Sequence, residues 1–155
     1  MLTKKRLRMV GLLASGGLVG AIAGLPAVST AATSANTCAN FNGSNYGLIT
    51  ATIGDNYNAR ATVDHYSNSG CTSGVTSPAH SLRAKNAVYW NSGSGDNLCA
   101  SSSYTDNPSA SNSWVQNFSF AGCGTGKSYR DFGTLGELIG GNWYTQSISS
   151  GYKTF

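Results

Sequence analysis

The residues able to do chemistry are few. The 155-residue chain has two histidines, His65 and His80, one glutamate, Glu137, and five aspartates, Asp55, Asp64, Asp96, Asp106 and Asp131. A serine–histidine–acid triad would activate a hydroxyl by passing its proton to an imidazole. Asp64 or Asp131 could supply the acid and many serines the nucleophile. Yet Asp64 and His65 are adjacent, so in a strand they point to opposite faces, and no Gly-x-Ser-x-Gly elbow is present. Both histidines therefore read as solvated or core-edge residues. Glycoside hydrolysis needs two carboxylates facing across a cleft. Asp96 and Asp131 can be drawn as one, but nothing in the sequence marks a pair. Ala121-Gly122-Cys123-Gly124-Thr125-Gly126-Lys127-Ser128 matches a relaxed phosphate-loop pattern. The residues that follow include Gly133 and Gly136 and lack a helical period, so the context that a phosphate loop needs is missing. The stretch reads as a glycine-rich turn. These residues point to a non-catalytic chain without cofactor or metal, a small secreted hydrolase being the minor alternative.

Aromatic side chains are the other source of function, because flat rings stack on sugars. The candidates are Trp90, Trp143 and Tyr144, with Tyr89 and Trp114 beside them. Tyr89-Trp90 and Trp143-Tyr144 are adjacent pairs, and in a strand one ring of each pair faces the core and the other solvent.

The elements that position these residues are strands. From Asn36 onward, Ser, Thr, Asn and Gly make up 59 of 120 residues. Such residues form turns and weaken helices. Turn clusters recur every 8 to 15 residues, the spacing of an all-β sandwich or barrel. Residues 46–53 and 59–66 read as a hairpin, 82–90 as a strand, and 142–148 and 151–155 as closing strands. Trp114, Gln116, Phe118 and Phe120 alternate onto one face. Residues 134–139 are the one place for a helical turn. The core is thin in aliphatics, with 5 Leu, 4 Ile and 4 Val in this part, but rich in rings, with 8 Tyr, 5 Phe and 3 Trp. Aromatic rings bury large areas and make up the deficit.

Cys38, Cys71, Cys99 and Cys123 have neither a C-x-x-C nor a zinc spacing and read as two disulfides. Of three connectivities, Cys38–Cys71 with Cys99–Cys123 is favoured, since it closes each half of the chain locally. An even cysteine count suits an exported domain. The N-terminus agrees. Residues 1–9 carry Lys4, Lys5, Arg6 and Arg8, residues 10–25 are apolar, and Pro26 with a small-residue stretch follows. This is the order of a secretory signal peptide spanning residues 1–35, with cleavage near 31–35. The expected product is one extracellular domain, residues 36–155. It contains six basic and six acidic residues, so the net charge of +4 belongs to the leader. Neutrality removes the charge argument for a nucleic-acid or membrane partner.

Val63-Asp64-His65-Tyr66-Ser67-Asn68-Ser69-Gly70 followed by His80-Ser81-Leu82-Arg83 resembles the opening and closing of a βγ-crystallin-like Greek-key unit. Val88-Tyr89-Trp90-Asn91-Ser92-Gly93 resembles a second opening, closed by Ser128-Tyr129-Arg130-Asp131-Phe132-Gly133 and Ile148-Ser149-Ser150. The chain is thus similar, over residues 62–155, to small secreted actinobacterial βγ-crystallin-like proteins, a group of peptidase inhibitors and killer-toxin-like proteins. Asp96-Asn97-Leu98-Cys99-Ala100-Ser101 and Asp106-Asn107-Pro108-Ser109-Ala110-Ser111 approach that family's calcium signature, but Ala replaces the oxygen-bearing fifth position.

These features predict a single small disulfide-linked β-sandwich or Greek-key barrel. The expected function is a monomeric, non-catalytic inhibitor of an extracellular peptidase. The candidate inhibitory loop is residues 124–130, with Lys127, Tyr129 and Arg130. A cell-wall or polysaccharide-binding module, or a small antibacterial toxin, is the alternative.

Overall fold

A computed structural model describes residues 32–155. The expected leader lies almost wholly outside the described residues. Ten strands follow in order: β1 Thr33–Asn42, β2 Asn45–Gly54, β3 Asn58–Tyr66, β4 Leu82–Asn91, β5 Asp96–Ser101, β6 Thr105–Asp106, β7 Ser113–Ser119, β8 Ser128–Ile139, β9 Asn142–Ser149 and β10 Lys153–Thr154. The protein is all-β, and its strands form two sheets. The first has the order β1-β2-β3-β7. The second is built on the pair β4–β8, with β5 and β6 on the free side of β4 and β9 and β10 on the free side of β8.

Alternation makes these strands. In β3 every second residue from Ala59 to His65 is buried, and in β4 every second residue from Leu82 to Val88. Those residues face the other sheet, while their neighbours face out. The β2–β3 hairpin forms at the expected place, with Gly54 opposite Asn58 and both Asn56 and Tyr57 at positive φ. Residues 134–139 are not helical. Thr134, Leu135, Glu137 and Ile139 lie within β8, bonded to β4 on one side and β9 on the other. Both edges of the segment are saturated by neighbours, which overrides its local spacing.

Two hydrophobic clusters fill the space between the sheets. One gathers Phe41, Ile49, Val63, Leu82 and Leu135. The other gathers Ile53, Val88, Phe120 and Tyr129, ringed by Tyr57, Trp90, Phe118 and Phe155. Between them the sheets approach closely at small residues. A side chain on Gly133 would meet the Cβ atoms of Ala61 at 3.1 Å and Ala51 at 3.3 Å.

Cys38 is bonded to Cys71 and Cys99 to Cys123, the favoured pairing. The first bridge ties β1 to the crossover of residues 67–81, which carries the chain between sheets. The second ties β5 to the opposite crossover before β8. Asn107 holds the remaining long connection. It is fully buried. Its Oδ1 accepts from the amides of Ser81 (2.9 Å) and Leu82 (2.7 Å), and its Nδ2 donates to the carbonyls of Pro78 and Ser109, both at 2.8 Å.

Candidate functional site

The outward residues of the second sheet form a strip of rings and cations. From β4 come Arg83, Lys85, Ala87 and Tyr89, from β8 Arg130, Phe132 and Thr134, and from β9 Trp143, Thr145 and Ser147. Arg83 lies across Gly136, its register partner, and places its guanidinium 3.9 Å from the Trp143 ring and 4.4 Å from Tyr104. The glycine matters, because a Cβ there would meet Thr145 at 2.9 Å and the Arg83 stem at 3.4 Å. Tyr89 and Phe132 meet edge to face at 5.1 Å. Arg130 spans the Phe132 and Tyr152 rings, at 4.6 and 4.9 Å, and is ion-paired to Asp96. Tyr152 donates its hydroxyl to the other oxygen of Asp96 at 2.6 Å. Asp96 is therefore consumed by Arg130 and Tyr152, and no three His, Cys, Asp or Glu side chains gather for a metal among the described residues. A depression of about 420 Å³ runs over this strip, lined by Lys85, Tyr89, Asp96, Phe132, Thr134 and Ser147, with Ala87 also in its wall.

The adjacent ring pairs split between the two faces. Tyr89 and Trp143 lie on the outer strip. Trp90 and Tyr144 pack against the two core clusters, and Trp114 packs against the first of them. Of the three sugar-stacking candidates, the outer face thus holds Trp143, and it adds Tyr89, Phe132, Tyr104 and Tyr152. Phe132 carried no sequence signal as a site residue. It faces out only because β8 keeps strict alternation with Asp131 and Gly133 inside.

The expected inhibitory loop, residues 124–130, is divided between an exposed turn and the sheet. Strand β8 begins at Ser128, so Tyr129 and Arg130 belong to the sheet. Tyr129 is fully buried and donates its hydroxyl to the Gly124 carbonyl at 2.6 Å. Lys127 folds back, with its ammonium 3.4 Å from the centre of the Trp90 ring. The Gly126 amide donates to the Phe155 carbonyl at 2.8 Å, which holds the turn to the C-terminus. Lys127 and Tyr152 line a second depression of about 300 Å³ with Asn91, Gly126 and Ser128, just beyond the outer strip.

One further cluster joins residues far apart in sequence. His65 Nδ1 meets Ser77 Oγ at 2.6 Å, and His65 Nε2 meets Glu137 Oε1 at 3.0 Å. His65 is buried, not solvated, and Ser77 and Glu137 are buried with it. Burial lowers the His65 pKa, and it raises Glu137 to about 7 against a bond from Ser77. Both effects favour a neutral imidazole beside a protonated carboxyl. The connectivity is that of a serine–histidine–acid line. Ser77 is only 1% exposed, however, and a nucleophile must touch its substrate. The cluster pins the 67–81 crossover between β3 and β8. Asp131 is also inside, fully buried, and neither carboxylate oxygen has a hydrogen-bond partner. Burial pushes its pKa up to about 8.

Comparison with family models, with curated proteins and with solved structures finds no match to this chain.

Proposed function

We propose that the domain is an extracellular, non-catalytic polysaccharide-binding protein that engages its ligand with the outer face of the second sheet. The observation that carries this reading is the strip of five outward rings, Tyr89, Tyr104, Phe132, Trp143 and Tyr152, of which Tyr89 and Phe132 line a shallow depression. Ring faces stack on the apolar faces of sugar rings, and the hydroxyls of Thr134 and Ser147 offer partners to sugar hydroxyls. The strip sits on paired strands, so it is pre-ordered and binding carries a small entropic cost. Two disulfides suit an oxidising, extracellular setting. Secretion through the 1–35 leader belongs to the same proposal.

Inhibition of an extracellular peptidase draws less support. Tyr129 is in the core, and Lys127 and Arg130 are each engaged with rings. Retention of the purified mature protein on insoluble glycans tests the leading reading. Tyr89→Ala and Trp143→Ala should each weaken retention about tenfold, or about 1.4 kcal/mol. Unchanged retention in the folded double variant, or inhibition of a peptidase with no glycan bound, overturns it.

A further inference from the structure

We propose that the polysaccharide is acidic, a pyranose polymer bearing carboxylates such as a uronic-acid glycan; this rests on the polysaccharide reading above. Overall neutrality conceals a strong segregation of charge. Of the six basic residues in the domain, Arg83, Lys85, Arg130 and Lys127 line the outer strip and its continuation past Tyr152. Arg60 lies on the other sheet, and Lys153 is buried and bonded to Asp55 at 2.8 Å. The acids do not follow. Asp131 and Glu137 are buried between the sheets, Asp64 lies on the other sheet, and Asp55 is with Lys153. Only Asp96 and Asp106 accompany the strip, and Asp96 is taken by Arg130.

Arg83, Lys85 and Lys127 therefore have no carboxylate within ion-pair distance among the described residues. Their charged ends rest on Tyr104, Trp143 and Trp90 instead. Cations held on ring faces keep their remaining donors for a ligand. Arg83 to Tyr89 spans about 20 Å along β4, at about 3.3 Å per residue. Along that length the outward positions are Arg83, Lys85, Ala87 and Tyr89, with Trp143 beside the first and Phe132 beside the last, so cations and rings lie side by side for a polymer that carries both sugar faces and carboxylates. A polyol-phosphate chain offers anions but no ring faces. A single-stranded nucleic acid offers both, and stronger binding to DNA is one outcome of the test below.

The test is affinity electrophoresis and calorimetry of the mature protein with polygalacturonate and alginate. Amylose, a soluble cellulose derivative, polyglycerol phosphate and single-stranded DNA serve as comparisons. The expected result is binding to the uronate polymers that weakens as sodium chloride rises, and about tenfold further weakening in the Lys85→Gln/Lys127→Gln double variant. Thermal unfolding of that variant checks that it is folded, and Lys85→Arg should restore binding. Salt-independent binding, equal for neutral and acidic glycans, overturns this inference and leaves the polysaccharide reading standing. Stronger binding to DNA or to polyglycerol phosphate overturns the choice of ligand. Binding to no glycan at all overturns both.

Discussion

Asp131 is a carboxyl group placed where a carboxylate is badly solvated. Its pKa is pushed from 3.8 to about 8 and that of Glu137 from 4.5 to about 7, in both cases chiefly by burial. Between the unfolded and folded values the folded chain keeps a proton that the unfolded chain has released. The stability held in these protons is complete below about pH 4 and is lost as pH rises through 7 and 8. His65 has the opposite sign. Burial lowers its pKa from 6.5, so its contribution is present above that value and is lost as pH falls. Two acids outweigh one imidazole. The melting temperature should therefore peak in mildly acidic solution and fall by about 10 °C or more toward pH 9. Asp131→Asn should remove much of that alkaline fall, and superimposable pH profiles for the variant and the parent would falsify the burial argument. Ser77 gives a second test at this scale. Its hydroxyl touches His65 but not solvent, so fluorophosphonate probes should leave it unlabelled in the folded protein. None of this could be read from the residues' positions. The sequence offers Asp64 or Asp131 as the acid of a triad, whereas the contact of His65 is to Glu137, in the other sheet.

At the scale of elements, the hairpins and strand alternation were legible, because turn residues and period-two burial are local properties. Residues 134–139 were not. Leu135, Leu138 and Ile139 have the spacing of a helical face, but β4 and β9 hydrogen-bond both edges of the segment. The long crossovers were equally opaque, and Asn107 is the reason they hold. Its side chain satisfies two amides and two carbonyls, so Asn107→Ala should leave several buried polar groups without partners and cost about 2–4 kcal/mol. Urea denaturation measures it, and a loss below about 0.5 kcal/mol would mean that water or a rearranged crossover replaces the side chain. The aromatic end of the sandwich makes a similar demand. Tyr57 keeps a positive φ of 56° because its ring packs on Phe120, Tyr129 and Phe155, at 5.6, 5.9 and 4.6 Å. Tyr129→Ala should remove the centre of that group at a cost of about 3–5 kcal/mol. A circular dichroism melt unchanged by that substitution would contradict the packing described.

The whole molecule depends on its cross-links, since a core built on few aliphatic residues is thin. Each disulfide closes a loop of tens of residues, with separations of 33 and 24. In the chain-entropy model each contributes about 3–4 kcal/mol. Reduction should lower the melting temperature by well over 10 °C, and thiol alkylation should add four groups only after reduction. Unmodified stability after full reduction would show that the packed sheets suffice alone. Composition and turn spacing determined the all-β class and the hairpin, because each is set by residues near in sequence or by the average chemistry of the chain, whereas the cysteines favoured one of three pairings that the fold then chose. Net charge was legible too, since residues 36–155 hold six basic and six acidic residues. Only the tertiary structure decided that Asp131 and Glu137 go inside while Arg83, Lys85 and Arg130 share one outer face. It also decided that Tyr89 and Trp143 look outward, that Tyr129 does not, and that Ser77, His65 and Glu137 meet. Those outcomes follow from strand order and register across the two sheets, where contacting residues are distant along the chain and no spacing rule connects them.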